Sequence, residues 1–160
     1  MGESFYRSMP PYVSQDENYL CWAAALESWL RAVPHRPNMS QIDLLDEATQ
    51  AGVVGSNGSL YKQGLVWISN KFHMTMKVFG KQKTLTGDYL VGKLKKKGYI
   101  YFVWNPLGQV AHTQVVWGVD SNTDVVAYMD PWQGEGWNSQ YLSDYYWEDT
   151  VEFVVGYPSF

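Results

Sequence analysis

The chain has 160 residues, enough for one domain or for two small lobes sharing a cleft. Hydrophobic residues make up 46% and charged residues only 18%, which excludes disorder over most of the length. A net charge of −4 argues against a nucleic-acid binder, and a single cysteine excludes an internal disulfide and a zinc site built on cysteines.

In chain order, Met1-Gly2-Glu3-Ser4-Phe5 has no basic segment followed by an apolar run, so no secretory signal is expected here. No apolar stretch reaches the ~20 residues of a membrane helix, so no membrane partner is expected. The spacing of Leu26, Trp29, Leu30 and Val33 predicts a helix over about Leu20 to Ala32, built around Ala23-Ala24-Ala25. Asn18 is its expected N-cap, and Pro34 and Pro37 stop it. Ser40 caps a second helix, with Asp43 at the capping-box position, Gly52 just past its end, and Ile42, Leu45 and Ala48 as the buried face.

After the loop Gly55-Ser56-Asn57-Gly58, Ser59 is expected to begin a third helix running to about Asn70. Residues 73–79 alternate and read as a strand. Thr86 caps a further helix ending at Gly98, where the basic run Lys93 to Lys97 complements the helix dipole as a solvated face. The remainder reads as β: a strand from Tyr99 to Trp104, a turn at Asn105-Pro106-Leu107-Gly108, and a hairpin of His112–Val119 with Asp124–Met129. A short helix or turn over Ser139–Tyr146 and a closing strand from Val151 to Val155 complete it. The expected fold is thus α+β, a single domain over 1–160. A helical lobe covers about 14–72 and a β-rich lobe about 73–160.

Three features point to chemistry. Cys21 stands in the first turn of a helix, where unpaired N–H groups favour the nucleophilic thiolate; the competing reading is an inert core cysteine. Gln15 lies six residues earlier in a polar loop, and its amide is a suitable oxyanion donor beside the Cys21 N–H; alone it would read as a solvated loop residue. Of three histidines, His112 starts the hairpin that ends in Asp130. Folded about Ser121-Asn122, the hairpin puts residue 113 opposite 130, which brings the two side chains within reach. A thiol needs a base, and the base an orienting group. The competing readings are an edge histidine and a turn-forming Asp before Pro131.

At these residues the sequence resembles the papain superfamily of cysteine proteases. The likeness rests on Gln15-x5-Cys21-Trp22-Ala23-Ala24, on His112 followed by an apolar strand, and on Asp130-Pro131-Trp132-x-Gly134. It implies a nucleophile helix packed on an antiparallel sheet or half-barrel. Cys21 would be the nucleophile, His112 the base and then acid, Asp130 its orienting partner, and Gln15 an oxyanion donor. Trp22 and Trp132 would support the site, Trp132 by covering the His–Asp hydrogen bond. No metal or cofactor is implied.

The short chain and the Asp in place of Asn are similar to the compact bacterial branch of effector proteases, related to the double-glycine bacteriocin-processing peptidases. That likeness implies a toxin exported by a specialised system, or within a larger protein, that acts on a protein in the target-cell cytoplasm. It also implies a cognate immunity protein covering the cleft. Papain-like folds also serve as amidases, deamidases and transglutaminase-like enzymes, and a non-enzymatic binding module using the aromatic surface is the remaining reading.

Overall fold

The computed structural model describes residues 2–80, 85–104, 112–146 and 152–159. Four α-helices lie among them: α1 (Cys21–Ala32), α2 (Gln41–Gln50), α3 (Gly64–Phe72) and α4 (Gly87–Lys96). The strands are β1 (Ser4–Tyr6), β2 (Met74–Gly80), β3 (Ile100–Trp104), β4 (His112–Asp120), β5 (Val125–Asp130), β6 (Gly136–Tyr141) and β7 (Glu152–Pro158), with a 3-10 turn at Leu142–Tyr145. All pairings are antiparallel, in the order β2-β7-β3-β4-β5-β6, with β1 added to β4. The expected α+β class is what the chain adopts.

The sheet carries a core on each face. On one side α1, α2 and α3 pack Trp22, Leu26, Trp29, Leu44 and Ile68 against Tyr101, Val103, Val115 and Met129. On the other, Leu90, Val91 and Leu94 of α4 pack with Leu142 and Tyr145 against Phe102, Trp104, Val116 and Phe153. This explains why β3 reads as an unbroken apolar run: both its faces are covered. Residues 21–30 of α1 are all buried, because the helix is enclosed by α2, α3 and the sheet.

Several boundaries depart from expectation. The N-cap of α1 is Leu20, not Asn18, because residues 16–19 form a turn in which the Glu17 carbonyl accepts from the Leu20 N–H. Cys21 is therefore the first helical residue. The Ser40–Asp43 capping box is present, and Ser40→Ala is expected to lower the unfolding free energy by about 1 kcal/mol in a denaturant titration.

The buried face of α2 is Gln41, Leu44 and Ala48; Ile42 is exposed and Leu45 only partly buried. The helix is turned because the Gln41 side chain is drawn inward to bond Ser14 and Asp16. α3 begins at Gly64, not Ser59: Leu60 forms a bridge with Val54 instead. His73 caps α3 with φ 54° and β2 starts one residue later. β1 and β6 were not expected at all. β1 docks where β4 bulges next to Gly118; a Cβ on Gly118 would overlap the Tyr6 ring. The expected turn at 105–108 and the residue Val151 lie outside the described residues.

Candidate active site

Cys21 is buried and opens α1. Among the described residues no side chain caps that helix end, and no acidic residue stands in its first turn, so the partial positive charge of its N–H groups is not offset from within the helix. The helix is held in place from both sides. Its Trp22 indole donates to the Gly58 carbonyl at 2.9 Å, and the Trp22 carbonyl accepts from the Tyr101 hydroxyl at 2.8 Å. Trp22 thus anchors the start of α1 as a core residue.

His112 is the first residue of β4, paired with Trp104 of β3. The Trp104 ring meets the imidazole edge-on, with centroids 5.0 Å apart. His112 Nε2 donates to both Asp130 oxygens, at 2.8 and 3.0 Å. The imidazole is also hydrogen-bonded to the Cys21 thiol. With Nε2 held by Asp130, that bond falls to Nδ1. Cys21, His112 and Asp130 therefore form a line of three, brought together from a helix and two strands.

The hairpin reaches this geometry by a different register from the expected one. Val115 faces Met129, and a bulge between Val116 and Gly118 separates that pairing from Gly118 opposite Ala127. Continued by one residue, Gln114 rather than Thr113 faces Asp130. His112 and Gln114 share one face, as i and i+2 residues of a strand must. Asp130 meets both: Gln114 Nε2 donates to Asp130 Oδ2 at 2.7 Å. Sequence reasoning missed Gln114. The available signal was a polar residue two positions after His112 inside an apolar strand.

Burial alone would lower the His112 imidazole. The hydrogen bonds and negative charges of Asp130 and Cys21 outweigh it and raise the imidazole to about 10. Burial alone would raise Asp130. His112, then Gln114 and the Trp132 N–H, outweigh it and hold the carboxyl below its usual range. The site is thus arranged to keep the imidazole charged at neutral pH, between the Cys21 sulfur and the Asp130 carboxylate.

The Gln15 loop is stitched to the site. Its N–H donates to the Pro131 carbonyl at 2.8 Å, and Gln41 Nε2 of α2 holds the preceding Ser14 carbonyl. The Gln15 amide nitrogen donates to the carbonyls of Glu17 and Asn18, at 2.9 and 3.0 Å, while Oε1 is buried with no partner among the described residues. Both amide hydrogens point at carbonyls in this arrangement. To serve an oxyanion, the amide has to turn away from at least one of them. Trp132 is 47% exposed, and it lines a cavity of about 250 Å³ with Trp104, His112, Asp130 and Glu135. Among the described residues no helix is long and apolar enough to cross a membrane.

The profile of the family described as papain-like cysteine protease AvrRpt2 matches residues 6–146. No curated protein matches the chain. Among solved structures, a double glycine motif protease from an AMS/PCAT transporter, crystallised in complex with the leader peptide, is similar with a TM-score of 0.54 and 17% identity. The alignment covers 99% of this chain and 98% of that one, so the two share a fold. The family match spans most of the chain, from β1 to the end of the 3-10 turn, and the chain belongs to the papain-like cysteine protease family of AvrRpt2.

Proposed function

We propose that the protein is an endopeptidase that hydrolyses peptide bonds through a Cys21–His112–Asp130 triad. The observation that carries this reading is the imidazole held between the Cys21 sulfur and the Asp130 carboxylate, with Nε2 committed to Asp130 at 2.8 Å. The Cys21 thiolate attacks the scissile carbonyl carbon, and the oxyanion forms beside the uncapped N-terminus of α1. The C–N bond breaks as His112 passes its proton to the leaving amine. A thioester to Cys21 remains. Water then attacks it, His112 takes one water proton, the C–S bond breaks, and the acid product leaves with the thiolate–imidazolium pair restored. The Gln15 amide joins the oxyanion site once it turns from the Glu17 and Asn18 carbonyls.

A polypeptide substrate is supported by the related double glycine motif protease, whose structure holds a leader peptide. The likeness of Gln15, Cys21-Trp22, His112 and Asp130 to compact bacterial effector proteases supports action on a protein of a target cell. On that reading the producing cell, exporting a toxin for interbacterial competition, carries an immunity protein that covers the cleft.

The test is mass spectrometry of denatured protein and of peptidoglycan, each incubated with wild type and with Cys21→Ala. New protein N-termini appearing only with wild type are expected. Amines released from peptidoglycan, or Gln converted to Glu without chain cleavage, would overturn the endopeptidase reading in favour of an amidase or deamidase.

A further inference from the structure

Behind the triad runs a second chain of hydrogen bonds. Gln114 is buried, and its amide has only one orientation that fits its neighbours. Nε2 donates to Asp130 Oδ2 at 2.7 Å, and Oε1 accepts from the Tyr145 hydroxyl at 2.7 Å. The reverse orientation would set Oε1 against a carboxylate, two acceptors face to face. Tyr145 is itself fully buried, with its ring packed on Trp104 at 5.2 Å, and burial keeps its phenol protonated far above its ordinary range. The Gln140 side chain in turn bonds the same hydroxyl. The donors therefore all point one way, from β6 through the 3-10 turn and β4 to Asp130, and each bond polarises the next.

We propose that Gln114, anchored by Tyr145, is a positioning residue that fixes the Asp130 carboxylate beside His112. A carboxylate taken out of water loses the donors that hold its orientation. Asp130 Oδ1 has the Trp132 N–H at 2.9 Å as a fixed donor, and Oδ2 has Gln114. Without Gln114, Oδ2 would be shared between His112 and no second partner, and the carboxylate would be free to rotate off the imidazole. Tyr145 sets the tilt of the Gln114 amide, so the hydroxyl acts on the triad at one remove.

This inference rests on the triad reading, and the experiment separates the two. Gln114→Met keeps most of the volume and removes both hydrogen bonds; Tyr145→Phe removes only the hydroxyl and guards against a Gln114→Met protein that does not fold. Two quantities are read: kcat and KM on a cleaved peptide, and titration of the Asp130 carboxyl by carbon-13 NMR, assigned by its loss in Asp130→Asn. The titratable groups around that carboxyl are His112 on β4, Tyr128 on its own strand, Tyr145 on the 3-10 turn and Glu135 across the cavity. Cys21 lies beyond His112.

Both variants are expected to lower kcat, Gln114→Met by on the order of 10- to 100-fold, with KM changed far less. The Asp130 titration should move to higher pH, because a donor to the ionised form is lost. A side chain that merely fills space would lower thermal stability and leave the titration and kcat where they were. Wild-type kcat and an unmoved Asp130 titration in Gln114→Met, beside an impaired Asp130→Asn, overturn the role of Gln114 and leave the triad standing. Full activity of Asp130→Asn overturns both.

Discussion

A Cys21→Ala protein is expected to fold as the wild type does and to lose peptide hydrolysis by on the order of a millionfold, the scale on which removing the nucleophile acts in a triad hydrolase. The fold survives for local reasons. Cys21 is buried at the first position of α1, alanine is the best helix former, and the helix is held by Trp22, whose indole and carbonyl bonds do not involve the thiol. Loss of the sulfur costs about 1 kcal/mol, the ordinary scale for a small buried truncation. Thermal unfolding and near-ultraviolet circular dichroism measure the first half of this expectation, and single-turnover hydrolysis of a fluorogenic peptide the second. Cleavage by pure Cys21→Ala at the wild-type rate would remove Cys21 from the chemistry altogether. Rates between these limits would be resolved by alkylation: in wild type, iodoacetamide should stop turnover in step with modification of Cys21.

Cys21 was legible as the candidate nucleophile because its signal is local. A helix start, an Ala-rich run and a cysteine at the first turn all fall within a dozen residues. The His–Asp pairing was legible for a different reason: any tight hairpin from His112 to Asp130 brings its two ends together. The register was not. The turn centre lies one residue further along than expected, which moves the pairing by two residues; the bulge near Gly118 takes one back, and a bulge leaves no mark in the hydrophobic pattern. Gln114 was missed on that account. With 113 set opposite 130, Gln114 is not brought to Asp130.

The parts of the fold that escaped the sequence are those with little to bury. Every side chain of β6, from Trp137 to Tyr141, is wholly or partly exposed, so the strand lacks alternation, and β1 is only three residues long. Neither edge strand is specified by its own residues; both are held by their neighbours, β6 by β5 and β1 by the bulged part of β4. The inward turn of α2 has the same origin. Gln41 is polar, so periodicity assigns it to the surface, yet its amide ties the Gln15 loop to α2 and its backbone N–H is held by the buried Glu27. Polar residues spent on internal hydrogen bonds are what the hydrophobic pattern cannot show.

The charge state of His112 leads to the other large effect. His112→Gln is expected to cost hydrolysis nearly as much as loss of Cys21, because nucleophile and base act as a unit. In the intact site, burial favours the neutral imidazole, while hydrogen bonds and charge from Asp130 and Cys21 oppose burial and prevail, so the proton is held to about pH 10. kcat/KM should therefore stay level through the neutral range on the alkaline side and fall as the imidazolium is lost near about 10. Asp130→Asn keeps an acceptor for the Nε2–H but removes the negative charge, so the alkaline limb should move to lower pH. The sign carries over to stability. A histidine raised above its ordinary 6.5 stabilises the fold fully below that value, and the contribution fades as pH rises through about 10. Imidazole NMR of His112 across this range, in wild type and Asp130→Asn, gives the charge state directly, and the pH profile of kcat/KM gives its consequence. An alkaline limb that does not move in Asp130→Asn would mean that the carboxylate does not hold the proton on His112, and the triad would reduce to a Cys–His pair.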